Sequence, residues 1–178
     1  MWERARQRDS CRYQIRRCRL STTVWRIGFV PSPQPAIAAI LGSLGYGSTL
    51  ANGRWHTKGP AQIVYAGSSR ALCQLEKRVH CNGANPANQA LMRLELPARS
   101  EILHAADLGL PKDWHDHMAA TQSIGMNWLA SGASLGLWVP SFVERDEMNL
   151  LINPAHSQYG AIRLVVERNP FEFDPRLF

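Results

Sequence analysis

The feature that most constrains the fold of this chain is a strand leading directly into a capped helix between residues 63 and 83. Ile63-Val64-Tyr65-Ala66 is rich in β-branched and aromatic residues. The alternation of a pleated strand puts Ile63 and Tyr65 on one face and Val64 and Ala66 on the other. Ser68 or Ser69 then offers a side-chain oxygen to the first free N–H groups of a helix that runs to His80, and Asn82-Gly83 closes it. Any fold for this chain therefore holds both a sheet and helices.

The other elements are mixed, without regular alternation. Val24 to Val30 reads as a strand, and Pro31, Pro33 and Pro35 break the backbone before an apolar helix from Ala36 to Leu44, which Gly42, Gly45 and Gly47 end in a turn. Further strands are expected at Leu91 to Leu96 (Met92, Leu94 and Leu96 inward, Arg93 and Glu95 outward), Leu135 to Val139 and Ala161 to Glu167. A helical stretch spans Lys112 to Ser131. Strands and helices without βαβ alternation predict an α+β class, and 178 residues with 45% hydrophobic content suit one domain.

Charge is unevenly placed. Residues 1 to 20 carry seven arginines against Glu3 and Asp9, whereas the remaining 158 residues hold 13 basic and 12 acidic side chains. The basic leader is read as an extension of residues 1 to 21, poorly ordered or touching a partner. A nucleic-acid-binding module acting through that leader is the competing class, and the nearly neutral body argues against it. No run of about 18 apolar residues is present, so no membrane span is expected. Cys11, Cys18, Cys73 and Cys81 form no C-x-x-C pair, so neither a zinc knuckle nor a disulfide framework is indicated, and a reducing cytoplasm is the default.

Glu76 is the informative anomaly. On the helix it shares a stripe with Leu72, Leu75 and Val79, while Gln74, Lys77 and Arg78 point away. A carboxylate facing a core is costly unless paired, protonated or open to a cleft; the competing reading is a stripe-edge glutamate reaching solvent. Arg54, within Gly53-Arg54-Trp55-His56, has a donor fork suited to a carboxylate or a pyrophosphate, or it stacks on Trp55 or pairs with Glu76. Tyr65 reads equally as a core tyrosine with a satisfied hydroxyl. Ser141 lacks the G-x-S-x-G setting of a nucleophile, so a hydrogen-bonding or helix-capping role is expected. His115 and His117 point apart on a helix and Gly45-Tyr46-Gly47 lacks the G-x-G-x-x-G pattern, so no metal and no Rossmann or P-loop site is expected.

Taken together and in order, several segments resemble the RES-domain family, the toxins of Xre–RES toxin–antitoxin pairs. They are Trp25-Arg26, Gly53-Arg54-Trp55-His56-Thr57-Lys58-Gly59, Ile63-Val64-Tyr65, Ser68-Ser69-Arg70-Ala71-Leu72 and Leu75-Glu76. Trp128-Leu129, Val139-Pro140-Ser141 and Asn149-Leu150-Leu151-Ile152-Asn153-Pro154 with His156 continue the pattern, which covers residues 22 to 178. Asn52 stands where the family usually has a second glycine, and His56 where it usually has asparagine, which bears on the shape of the Arg54 loop.

The resemblance implies a split mixed β-sheet with flanking helices, similar to ADP-ribosyltransferase toxins, with NAD as substrate and no metal. It implies cleavage of the nicotinamide N-glycosidic bond, by hydrolysis or phosphorolysis that depletes NAD and arrests growth, or with transfer of ADP-ribose to a protein. Glu76 would stabilise the oxocarbenium-like state, Arg54 and Arg26 would hold the diphosphate, Tyr65 would pack on nicotinamide or its ribose, and Ser141 would fix nicotinamide or Glu76. Lys58 would add positive potential at most. The implied partner is an Xre-type helix-turn-helix antitoxin, with DNA met only through it.

Overall fold

The computed structural model describes residues 21–177; the basic leader with Cys11 and Cys18 lies outside the described residues. The chain builds β1 (Thr23–Phe29), α1 (Ile37–Ser43), β2 (Val64–Gly67), α2 (Arg70–His80), β3 (Gln89–Glu95) and β4 (Ile102–His104). It continues with α3 (Met118–Ser131), β5 (Gly136–Pro140), β6 (Met148–Ile152) and β7 (Arg163–Arg168). The class is α+β, as expected. The strands form one mixed sheet in the order β4-β5-β6-β2-β1-β3-β7, antiparallel except for the parallel pair β4 and β5.

The sheet opens in its middle. β1 matches β3 along its whole length, from Thr23 opposite Glu95 to Phe29 opposite Gln89, but meets β2 at the single pair Trp25 and Gly67. In the gap, the Arg26 guanidinium replaces the missing ladder by donating to the carbonyl oxygens of Tyr65 at 2.6 Å and Leu44 at 3.0 Å.

Strand alternation sorts the core as the sequence predicts. Val64 and Ala66 join Val24, Met92, Leu94, Leu150 and Ile152 under α1, while Ile63 and Tyr65 pack on the opposite face with Trp55, Trp114, Trp128, Leu137 and Leu151. On that second face α2 places Leu72 beside Cys73, and Cys73 packs with Ile27, Leu91, Phe171 and Phe173. α2 and α3 therefore flank the split on one side of the sheet.

Three expectations need correction. The buried residues of α2 are Leu72 and Cys73, whereas Leu75 and Val79 are exposed, and Val79 borders a cleft beside the helix. Lys77 is half-buried and lines that cleft rather than pointing away from it. The stretch 112 to 117 is not helical: turns closed by Trp114 N–H to Pro111 O and Asp116 N–H to Asp113 O precede α3, and they let Trp114 reach the core. At α2 the cap is Ser69, whose hydroxyl accepts from Leu72 N–H at 3.1 Å, and Asn82 and Gly83 close the helix at φ 47° and 83°.

Candidate active site

The split in the sheet becomes a cleft of about 610 Å³, bounded by α2, the Arg54 loop and the start of the 141–147 loop. Arg26, Arg54, Tyr65 and Glu76 all line it, although they lie far apart in the chain. Ser141 is fully buried and stands behind the cleft wall. Lys58 is exposed and outside the lining.

Glu76 is held by two donors on one oxygen. The Ser141 hydroxyl donates to Oε1 at 2.7 Å and the Asn149 amide donates to the same atom at 2.6 Å. No protein group among the described residues bonds Oε2. Ser141 is itself fixed, because its oxygen accepts from the N–H groups of Val143 and Glu144 at 3.1 and 3.0 Å. Its hydroxyl proton is thus directed at Glu76, an arrangement that orients the carboxylate and does not ready the serine oxygen for attack. Two further bonds draw the loop to α2: the hydroxyls of Ser68 and Ser69 donate to Glu147, the former at 2.6 Å. The carboxylate is oriented with one edge left for a ligand.

Across the cleft, Arg54 uses one terminal nitrogen to donate to the His115 carbonyl at 2.9 Å, and its guanidinium lies 4.1 Å from the centroid of the Phe142 ring. It neither stacks on Trp55 nor pairs with Glu76. Its remaining N–H groups have no partner among the described residues and are available to an anion. Arg26 is more committed, since both terminal nitrogens serve backbone carbonyls and Nε is buried without a partner. Burial pulls its ionisation down.

The Arg54 loop is clamped to α3. Thr121 donates to the Arg54 carbonyl at 2.7 Å and Gln122 to the Gly53 carbonyl at 2.9 Å. Asn52 accepts from Lys58 N–H at 2.6 Å and so closes the loop through its side chain. Gly53 has no room for a side chain: a Cβ there would lie 2.6 Å from His56 Nδ1 and 3.1 Å from the Tyr65 hydroxyl.

Tyr65 and His56 form a chain of fixed direction. His56 Nε2 lies 3.1 Å from the Ala51 carbonyl, which only accepts, so Nε2 carries the proton of the neutral ring. Nδ1 then accepts from the Tyr65 hydroxyl at 2.7 Å. Burial raises the Tyr65 phenol far above its ordinary range, against the opposing effects of the Trp55 backbone and the Arg26 charge, so the hydroxyl stays protonated.

Burial also lowers the His56 pKa from 6.5, outweighing its hydrogen bonds to the backbone. The folded ring binds a proton less readily than the unfolded one. This contribution to stability is complete above the unfolded value and is lost as pH falls through the folded one. Denaturant melts from about pH 7.5 down to about pH 5.5 are therefore expected to show a steeper loss in wild type than in His56→Asn; equal slopes would remove His56 as the cause.

The sequence pointed to Glu76, Arg54, Arg26, Tyr65 and Ser141; the first four line one cleft, and Ser141 reaches Glu76 from behind its wall. The sequence did not single out Asn149, Lys77 or Phe142 as site residues, and it noted His56 only as a departure. Asn149 carries the one readable signal, a polar residue heading the apolar run Leu150-Leu151-Ile152. Of the histidines weighed for a metal, His115 stacks on Trp114 with centroids 3.7 Å apart and His117 pairs with Asp113 at 2.8 Å.

An opened α+β sheet with a carboxylate and cationic side chains lining the split defines the class, and comparison with known proteins agrees. The RES domain family model matches residues 23–174. The "Prs ADP-ribosylating toxin" of Sphingobium sp. (strain YBL2) is 41% identical over 140 residues, covering 75% of this chain and 84% of that protein. A "Toxin Res" of Yersinia enterocolitica is 38% identical over 136 residues, covering 75% and 88%. The crystal structure of the M. tuberculosis MbcT–MbcA toxin–antitoxin complex contains a similar fold, with a TM-score of 0.60 at 17% identity, covering 88% of this chain and 86% of that one. The chain belongs to the RES-domain family.

Proposed function

We propose that this chain is the toxin of a toxin–antitoxin pair and that its cleft binds NAD and cleaves the nicotinamide N-glycosidic bond. The observation that carries the reading is the Glu76 carboxylate, oriented by Ser141 and Asn149 with one oxygen unbonded, in a cleft that also holds Arg26, Arg54 and Lys77. Three cations against one carboxylate attract the dianionic diphosphate of a dinucleotide.

Nicotinamide departure leaves positive charge on the ribose, and the free edge of Glu76 stabilises it while the bond lengthens. Glu76 also orients the ribose hydroxyls and the incoming nucleophile. Arg54 holds the diphosphate, which fixes the scissile bond relative to the carboxylate. The Tyr65 ring, anchored through His56, packs on nicotinamide or its ribose. Bond cleavage needs no metal in this scheme, and among the described residues no cluster of three or more potential metal ligands occurs.

With water or phosphate as nucleophile the outcome is NAD depletion and growth arrest in the cytoplasm. Among the described residues no helix is long and apolar enough to cross a membrane. Transfer of ADP-ribose to a protein is the second reading, favoured by the name of the Sphingobium relative. The partner is an antitoxin of the Xre helix-turn-helix type that covers the cleft, and DNA is reached only through it.

Incubation with NAD labelled in its adenylate half, with and without phosphate and cell lysate, tests both readings. Nicotinamide release without labelled protein supports depletion, labelled protein supports transfer, and no release overturns the shared step. For Arg54→Ala, loss of charge-assisted bonds to a diphosphate is expected to raise KM for NAD about tenfold or more with a smaller change in kcat. Steady-state kinetics on the folded variant check it; an unchanged KM would take Arg54 out of substrate binding.

A further inference from the structure

α2 contributes a second charged residue to the cleft besides Glu76. Lys77 is half-buried, lines the cavity and makes no hydrogen bond or ion pair among the described residues. Burial, and beside it the positive charge of Arg26, disfavour the Lys77 ammonium. Arg26 offers no compensation, because its terminal nitrogens bond backbone carbonyls and its Nε is unpartnered. Two like charges drawn out of water without a carboxylate between them are unfavourable unless an anion joins them. Glu76, the one carboxylate in the cleft lining, makes no ion pair with either cation among the described residues: its Oε1 accepts from Ser141 and Asn149, and its Oε2 has no protein partner.

We infer that Lys77, with Arg26 behind it, forms a phosphate-binding subsite on the α2 wall of the cleft, separate from Arg54 on the loop wall. It takes a phosphate group of the dinucleotide, so the inference rests on the reading of this cleft as an NAD site. Two anchors on opposite walls would hold the diphosphate across the split, with the glycosidic bond presented to Glu76. A free phosphate ion has the same chemistry and is the other source of such a group.

Calorimetric titrations of the full chain with ADP-ribose, inorganic phosphate and adenosine test the subsite directly. Lys77→Met keeps the aliphatic stem on the helix and is expected to weaken ADP-ribose binding about tenfold. Lys77→Arg is expected to stay within about threefold of wild type, and adenosine, which lacks phosphate, to bind all forms alike. Weakening for ADP-ribose alone assigns the subsite to the dinucleotide; weakening for inorganic phosphate as well shows that it also takes the free ion. In turnover, KM for NAD rises while kcat stays within about twofold. Wild-type affinity of Lys77→Met for both phosphate-bearing probes, or an equal loss for adenosine, would overturn the inference. A wild-type protein that binds ADP-ribose through Lys77 yet releases no nicotinamide would instead overturn the proposed reaction and leave the subsite standing.

Discussion

Glu76→Gln is expected to release nicotinamide about a thousandfold more slowly than wild type while binding NAD with similar affinity. The substitution keeps the shape of the side chain and an oxygen that accepts from Ser141 and Asn149, so α2 and the 141–147 loop stay joined. What disappears is the negative charge that faces the developing oxocarbenium character of the ribose. The loss should therefore fall on kcat, with KM little changed, as for an interaction made mainly in the transition state. Single-turnover release of nicotinamide measures it without interference from product release. A folded Glu76→Gln protein with wild-type kcat would leave the carboxylate no part in the chemistry.

The largest expected effect on stability comes from a glycine on α3. Gly125 on α3 sits flush against the backbone of Trp55, and a Cβ at that position would overlap the Trp55 carbonyl oxygen and lie 2.9 Å from its carbon. Backbone cannot step aside as a flexible side chain does, so Gly125→Ala must push α3 and the Arg54 loop apart. That movement strains the bonds from Thr121 to the Arg54 carbonyl and from Gln122 to the Gly53 carbonyl. Overpacking of this kind costs about 3 kcal/mol, which lowers the melting temperature by about 6–12 °C. Gly160→Ala is the control, since its Cβ would meet nothing within 4 Å and φ there is not positive, and a change below about 0.5 kcal/mol is expected. Equal melting temperatures for the two variants would show that the loop is not held against α3.

Much of this architecture was legible because it rests on local rules. The alternation that separates Val64 and Ala66 from Ile63 and Tyr65, and the Ser69 cap of α2, involve neighbours in sequence. Two strands escaped for physical reasons. β4 has three residues, too few to show a period, and β6 is buried on both faces at Leu150-Leu151-Ile152, so it does not alternate. The apolar stripe of α2 misled because Leu75 and Val79 stay exposed, Val79 on the lining of an open cleft, where a hydrophobic residue need not be buried. Lys77 was assigned to the wrong side for the same reason.

Within the site, residue types were readable and their pairings were not. Glu76 stood out as a charge on an amphipathic helix, but its partners lie 65 and 73 residues away, and only the return of β5 and β6 across the sheet brings Ser141 and Asn149 to it. Arg26 and Arg54 looked equivalent as diphosphate clamps. The fold separates them: Arg26 bridges the gap between β1 and β2, and Arg54 keeps free donors on the cleft lining.

The structure of Glu76→Gln crystallised with NAD is the most direct test of the account. The nicotinamide ribose is expected against residue 76, within about 4 Å of the side chain, with the diphosphate held between the two walls of the cleft. NAD bound outside the split, or with its adenine end at residue 76 and nicotinamide facing solvent, would contradict the assignment of the carboxylate.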